Sequence, residues 1–127
     1  MKPFALPLGL ALLAGCTNTP QPYAPVRDLR YSAVGEQPFW LLAIGDDRIL
    51  LRLGEAGGEA IWPRTLPRTV DNVRRWESGE GTNVIAIEAR PGPCTGSGGR
   101  QFEDNVIVRL SGRELTGCGG RLIGERN

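Results

Sequence analysis

The feature that most constrains the fold of this chain is a series of short apolar runs, which recur about every eight to twelve residues. Gly, Pro and Asp separate the runs, and the chain contains 18 glycines and 10 prolines. No window shows the 3.6-residue apolar period of an amphipathic helix. The pattern predicts an all-β domain, a small antiparallel sandwich or barrel of about seven or eight short strands.

Individual strands follow from the same pattern. The segment Phe39–Ile44 is apolar on both faces, which predicts a central strand. Pro63 cannot donate to a ladder, so its segment is predicted to be an edge strand or irregular. Ser111 and Gly112 predict a tight hairpin. The predicted strands are Arg30–Val34, Phe39–Ile44, Arg48–Leu53, Ala60–Leu66, Val73–Glu77, Thr82–Ala89, Asn105–Leu110 and Arg113–Thr116.

The N-terminus has the layout of an export signal. Lys2 is followed by an apolar run from Phe4 to Ala14 and then by small residues. This run of about eleven residues is shorter than the roughly 20 that a membrane-spanning helix needs. The block Leu13-Ala14-Gly15-Cys16 resembles the bacterial lipobox, in which the cysteine is acylated and the chain is cut just before it. A plain signal peptide that ends near a cysteine is the alternative.

The lipobox resemblance implies that residues 1–15 are a signal peptide and that lipid on Cys16, such as palmitate, anchors the protein in the membrane. Thr17 follows the cysteine where inner-membrane lipoproteins often carry Asp, which implies the cell outer membrane, facing the periplasm. Residues 16–28 are rich in proline and predict an extended tether. Residues 29–127 then form a single β domain, as their number suggests.

With Cys16 assigned to lipid, Cys94 and Cys118 remain as an even pair in an exported chain. A disulfide between them would close a loop of about 25 residues and stabilise the fold by roughly 3.5 kcal/mol. If Ser111 and Gly112 form the hairpin turn, Cys118 lies opposite Asn105, within reach of the preceding loop. Two free thiols or a redox centre are the alternatives, although no Cys-x-x-Cys motif occurs.

Composition excludes several classes of function. The chain has no histidine, which removes His-based catalysis and His-ligated metal sites. Its charges nearly balance, which argues against nucleic acid as a partner. Asp46 and Asp47 lack the spacing of a calcium loop, and we predict no metal site and no cofactor. Glu103 and Asp104 are adjacent on a strand, so we expect a solvated pair on opposite faces instead of a catalytic pair.

The loop Arg90–Glu103 is the predicted binding region, because irregular loops on rigid sheets often carry binding sites. Arg100 and Gly98 in this loop, together with Trp40, are the candidate binding residues. Of Phe39 and Trp40, one is expected in the core and the other at the sheet end. In the alternative, arginines stack on an exposed tryptophan groove. That groove would contain Trp40, Trp62 and Trp76.

Three blocks carry a family resemblance: Gly35–Trp40, Pro91–Cys94 and Gly117–Gly120. They are similar to Gly-x-Glu-Pro-Phe-Trp, a Pro-Gly-rich cysteine loop and Leu-x-Gly-Cys-Gly in a family of Gram-negative envelope lipoproteins. That family has no established activity, and its members occur beside META-like and lysozyme-inhibitor-like domains. This chain departs from the pattern at Gln37 and in the stretch 95–99, where relatives carry an Asp-x-Met-Ser-like sequence.

These features predict a lipid-anchored envelope lipoprotein that acts as a non-catalytic binding or structural module. The expected partners are the membrane, through Cys16, and an envelope protein or cell-wall glycan. The resemblance suggests one alternative, an inhibitor of a cell-wall hydrolase that acts through the loop Arg90–Glu103. A hydrolase that uses carboxylates alone is a further alternative, and it requires acids that converge in a pocket with shifted pKa values.

Overall fold

The computed structural model of this protein describes residues 26–54 and 58–125. The predicted signal peptide, the predicted lipidation site Cys16 and residues 17–25 of the predicted tether lie outside them. The described residues form nine strands and one short 3-10 turn at Ser97–Gly99. The strands are β1 (Tyr31–Glu36), β2 (Phe39–Ile44), β3 (Arg48–Leu53), β4 (Gly58–Pro63), β5 (Arg68–Val70), β6 (Val73–Glu80), β7 (Asn83–Thr95), β8 (Arg100–Leu110) and β9 (Arg113–Glu125).

All nine strands belong to one antiparallel sheet, in the order β4-β3-β2-β1-β9-β8-β7-β6-β5. Strands β1–β4 form a first meander and β5–β9 a second. The two meanders are joined where β1 pairs with β9, with Ala33 opposite Gly119 and Val34 opposite Cys118. The sheet curls into a half-barrel. The predicted all-β antiparallel class is confirmed, and of the predicted sandwich and barrel the described residues form a half-barrel, with nine strands where about seven or eight were expected.

The core fills the inner face of this curled sheet. Alternate residues of each strand point to one face, and here most of the inward positions are apolar. Trp40, Tyr31 and Leu115 join the core from β2, β1 and β9. Burial of such side chains is the main favourable contribution to folding. The fully buried aliphatic residues are Leu42, Ile44, Ile49, Leu51, Ile85, Ile87, Val106 and Val108.

The edge strand β4 is bonded to the opposite side of the half-barrel through side chains. The indole Nε1 of Trp62 donates to the Asn83 carbonyl at 3.1 Å, and Ser78 Oγ donates to the Pro63 carbonyl at 2.6 Å. These bonds bring β4 near β6 and the start of β7 without ladder pairing. They partly cover an edge that would otherwise be open to pairing with another chain.

In the first meander, the strand bounds predicted from sequence agree closely with those of the structure. Strands β2 and β3 begin and end at the predicted residues, and β4 is an edge strand that ends at Pro63. The hairpin at Ser111 and Gly112 is confirmed by the pairing of Leu110 with Arg113. Strand β5 was not predicted, because its three residues are all exposed and show no apolar alternation.

The N-terminal residues 26–28, assigned to the tether from sequence, pack on the outer face of the first meander. Val26 is buried and forms a small cluster with Ala43 and Leu50. The Asp46 N–H donates to the Arg27 carbonyl at 2.8 Å. The folded domain therefore includes Val26, because outward apolar positions of β2 and β3 need this segment as a cover.

Replacing Val26 with Ala should lower the free energy of unfolding by about 1–2 kcal/mol, because two buried carbon atoms are lost. The measurement is urea denaturation of the folded protein. Val70→Ala is the matched control, since Val70 is 68% exposed and its truncation should change stability by less than about 0.5 kcal/mol. Equal losses in the two variants would contradict the packing of Val26.

Candidate functional site

The region predicted as an irregular binding loop, residues 90–103, is instead a two-stranded extension of β7 and β8, here called the arm. Strand β7 continues to Thr95 and β8 begins at Arg100, so that only residues 96–99 form a turn. The loop prediction is wrong because the ladder resumes beyond the prolines. The register shifts between Pro91 and Cys94, and this bulge accommodates residues that cannot donate a ladder bond.

The predicted disulfide ties the arm to the sheet. Cys94 and Cys118 are bonded, with their Cα atoms 5.5 Å apart, and Cys118 lies opposite Asn105 as the hairpin register predicts. The Asn105 Nδ2 donates to the Gly92 carbonyl at 3.2 Å, which satisfies a carbonyl of the bulge. The base of the arm is therefore held across β8 to β9 by a covalent bond and a hydrogen bond.

The tip of the arm is held by contacts at both sides of its turn. Within the turn, the Gly96 N–H donates to the Arg100 carbonyl at 2.7 Å, and Gly98 adopts a φ of +71°. Across the turn, the Ser97 N–H donates to the carboxylate of Glu36. Because Glu36 lies at the end of β1, this bond fastens the tip to the first meander.

A cavity of about 250 Å³ lies between the tip and the β1–β2 turn, and we call it the tip cleft. The guanidinium carbon of Arg100 lies 5.9 Å from the ring centroid of Phe102. The rings of Phe39 and Phe102 lie beside the guanidinium of Arg100 and the carboxylate of Glu36. The cleft can therefore contact both apolar and polar groups. The residues that line the tip cleft are Val34, Glu36, Phe39, Ser97, Arg100 and Phe102.

Of the three predicted binding residues, Gly98 and Arg100 lie at the tip, but Trp40 does not. Trp40 is 1% exposed, and its Nε1 donates to the Thr116 carbonyl at 3.1 Å. Trp62 and Trp76 are buried as well, so the alternative of an exposed tryptophan groove is wrong, and the expectation that one of Phe39 and Trp40 lies in the core is confirmed. The strand alternation places Trp40 in the core and leaves Phe39 for the outer face.

Five of the six residues that line the tip cleft, all except Arg100, were not among the binding residues predicted from sequence. Phe39 could have been found, since it faces opposite to the buried Trp40 on the same strand. The contribution of Glu36 depends on a contact with Ser97 across 61 positions of sequence, which no local pattern encodes. Phe102 lies between two register shifts of β8, so its direction could not be derived from alternation.

A second polar cluster lies at the inner face and corrects the prediction for Glu103 and Asp104. Asp104 is buried, at 4% exposure, and not solvated. A register shift between Phe102 and Asp104 interrupts the alternation of β8. Both carboxylates therefore approach Gly120, where an added Cβ would lie 2.5 Å from Glu103 Oε2 and 2.8 Å from Asp104 Oδ2.

The buried carboxylate of Asp104 is matched by two donors. Tyr31 Oη donates to Asp104 Oδ2 at 2.7 Å, and Arg74 Nη2 donates to the same oxygen at 2.9 Å. The guanidinium carbon of Arg74 also lies 4.8 Å from the ring centroid of Tyr31. This arrangement neutralises a buried charge, as a stable interior requires.

The titration behaviour of this cluster does not favour proton transfer near neutral pH. Burial, together with the hydrogen bond to Asp104, raises the pKa of Tyr31. The Arg121 N–H, which donates to Glu103 at 2.8 Å, lowers the pKa of Glu103. Both pKa values move away from neutrality, whereas general acids and bases work best when their pKa lies near the working pH.

No family model, curated protein or solved structure matches this chain. Within residues 26–54 and 58–125, no three or more Asp, Glu, His or Cys side chains are grouped so that they could hold a metal ion. The part of the chain that the structure describes also has no helix long and apolar enough to span a membrane. The geometry of the tip cleft and its supports is therefore what bears on function.

Replacing both Cys94 and Cys118 with Ser should lower the free energy of unfolding by about 2–4 kcal/mol, because the unfolded chain loses a constraint. Urea denaturation measures this change. Wild-type protein unfolded in the presence of a thiol reductant is the matched control and should lose a similar amount. Unchanged stability in both samples would contradict a structural role for the bond.

The lowered pKa of Glu103 predicts a pH-dependent contribution to stability. The folded-state pKa lies below the ordinary value of 4.5, so ionised Glu103 stabilises the fold above that pH, and the contribution is lost as pH falls through the folded-state pKa. Glu103→Gln should therefore be less stable than wild type at about pH 7, and the difference should shrink as the pH falls below 4.5. Urea denaturation across this range, with Glu80→Gln as a surface control, tests it; a constant difference would contradict it.

Proposed function

We propose that this protein is a lipid-anchored envelope lipoprotein whose β-domain faces the periplasm from the outer membrane and acts as a non-catalytic binding module. The tip cleft is its recognition site, and an envelope protein or cell-wall glycan is its partner. The observation that carries the proposal is an open, amphipathic cleft whose walls are fixed by the disulfide and by the bond between Glu36 and Ser97.

The chemistry of the cleft suits such a partner. Sugar rings and apolar peptide side chains pack on aromatic faces such as those of Phe39 and Phe102. The guanidinium of Arg100 and the carboxylate of Glu36 add a donor and an acceptor at the same place. Because the tip is already fixed, binding needs little further ordering of the chain, which favours affinity.

The proposed location of the protein is inferred from the N-terminal residues and from the disulfide. The lipobox resemblance places lipid on Cys16, and disulfides such as Cys94–Cys118 persist in oxidising compartments outside the cytoplasm. The stretch Val26–Asp28 packs on the domain, so the proposed tether ends before Val26.

A second candidate is inhibition of a cell-wall hydrolase. Ser97, Gly98 and Arg100 are exposed at the end of a covalently braced arm. A rigid element of this kind can enter an enzyme cleft with little loss of conformational entropy. Purified lysozyme tests this candidate directly, since inhibition should disappear in Arg100→Glu but not in Arg113→Glu.

A hydrolase that uses carboxylates alone is less well supported. Glu103 and Asp104 do converge, which that hypothesis requires. However, Asp104 is engaged by Tyr31 and Arg74, and the pKa of Glu103 is lowered, which opposes a role as general acid. We therefore propose binding without catalysis.

Photo-crosslinking in intact cells tests the binding proposal. A photoreactive residue at position 97 should capture a specific envelope partner, identified by mass spectrometry, because Ser97 lines the cleft and only its backbone N–H is needed for the tip. The same residue at position 113, exposed in the β8–β9 hairpin, is the matched control.

Substitution of residues that line the tip cleft should reduce crosslinking of the partner at position 97. Phe102→Ala combined with Arg100→Gln is expected to reduce the crosslinked product at position 97 about tenfold, since an aromatic and a cationic contact are lost. Equal products at positions 97 and 113, or capture that persists in the double variant, would overturn the proposal.

A further inference from the structure

The outer face of β5, β6 and β7 brings together three arginines that are distant in sequence. Arg68 lies directly opposite Arg75 in the β5–β6 ladder, and Arg90 lies on β7 beside them. A like-charge pair directly across an antiparallel ladder is destabilising. Arg90 adds a third cation beside that pair, so the position of Arg68 opposite Arg75 is not explained by the stability of the sheet.

A buried carboxylate fixes two of these arginines. Glu88 on β7 is 3% exposed, although it points to the outer face. Its Oε1 accepts from Arg75 Nη2 and its Oε2 from Arg90 Nε, each at 2.7 Å. Arg109 Nη1 lies 3.7 Å from the same carboxylate. The two hydrogen bonds lower the pKa of Glu88, so it is a fixed anion that orients two guanidinium groups.

Both oriented arginines keep donors that Glu88 does not use. A guanidinium carries five N–H donors. The structure shows one bond to Glu88 from Arg75 and one from Arg90, and their side chains are 47% and 59% exposed. Within residues 26–54 and 58–125, Arg68 takes part in no ion pair. The remaining donors of all three arginines are therefore available to one more anion.

These donors border a cavity of about 410 Å³. That volume is within the usual range for small-molecule sites. Two valines of β5 and β6 form its apolar part, and Asp71 of the intervening turn adds one negative charge. The three arginines outnumber Asp71 and Glu88 together, so the site keeps a net positive charge. The lining residues are Arg68, Val70, Asp71, Val73, Arg75 and Arg90.

We propose that this cavity, here called the arginine cavity, is a binding site for a phosphate group. Arginine recognises phosphate through paired N–H donors in the plane of the guanidinium, and a fixed guanidinium binds with less loss of side-chain entropy. Three guanidinium groups offer more donors than the two oxygens of a carboxylate can accept, whereas phosphate presents further oxygens. The site shares no lining residue with the tip cleft, so it is independent of the binding function proposed above.

The phosphate could come from a soluble phosphate or from the headgroup of a phospholipid, and two probes distinguish these sources. The full protein, purified from cells in neutral detergent, is titrated with inorganic phosphate and, separately, with glycerophosphoglycerol, the deacylated form of an anionic headgroup. Isothermal titration calorimetry at constant ionic strength measures both. Saturable binding of the first probe alone indicates a soluble phosphate, and tighter binding of the second indicates a headgroup; either outcome supports the proposal.

Three variants test whether phosphate binds in the arginine cavity. Arg68→Gln should weaken binding about tenfold, because a charge-assisted contact is lost from an exposed side chain with no described ion pair to break. Arg113→Gln, which removes an exposed arginine elsewhere, should bind as wild type does. Glu88→Gln should weaken binding as well, since Arg75 and Arg90 lose their charged anchor.

Two results would overturn the phosphate site. One is the absence of saturable binding of both probes to the wild-type protein at millimolar concentration. The other is equal affinity in wild type, Arg68→Gln and Arg113→Gln, which would reflect general attraction to positive charge. Because Arg68 is at an exposed edge, circular dichroism should show that its variant keeps the fold, so lost binding cannot be ascribed to unfolding.

Discussion

The pairing of β1 with β9 is the contact on which the rest of this structure depends. It joins the two meanders through the pairs Ala33–Gly119 and Val34–Cys118. Trp40 reinforces it from the core, since its indole reaches across to the Thr116 carbonyl. The indole fits because position 117 is a glycine, where an added Cβ would lie 2.7 Å from Trp40 Cζ2. A small number of close contacts thus turns two meanders into one sheet with a common core.

Features encoded over a few neighbouring residues could be predicted from the sequence. Strands β2 and β3 are bounded by turn residues and begin and end where their patterns indicate. The position of Cys118 opposite Asn105 followed from the two-residue turn alone, because antiparallel register is fixed once the turn is known. The edge position of β4 followed from Pro63, which cannot donate to a second neighbour.

Features set by distant contacts could not be predicted. The arm was interpreted as a loop because Pro91 and Gly92 normally end a strand, yet the bulge and the disulfide let pairing resume. The inward position of Asp104 follows the alternation of Val106 and Val108, but its hydrogen-bond donors come from β1 and β6, which no local pattern shows. The residues of the tip cleft and of the arginine cavity likewise come from separate strands. The sequence shows these residues, but it does not show that they lie together.

Two buried carboxylates show how this chain uses arginine as its cation. Asp104 faces the core and Glu88 the outer surface, and arginines bind both. The only lysine of the chain is Lys2, so arginine supplies every cationic side chain of the domain. A guanidinium can donate in several directions at once, and it is more weakly hydrated than an ammonium group. It can therefore pair with a buried carboxylate and still present donors to solvent or to a ligand.

The tip cleft also depends on the pairing of β1 with β9, here called the β1–β9 junction. Glu36 and Phe39 belong to the first meander, whereas Ser97, Arg100 and Phe102 belong to the second. The cleft exists only when both meanders are folded and paired. A partner that binds there binds the native state and not the unfolded chain, so it must stabilise the whole sheet by mass action. Recognition at the tip and integrity of the β1–β9 junction are consequently linked, although no residue of the cleft except Val34 takes part in that pairing.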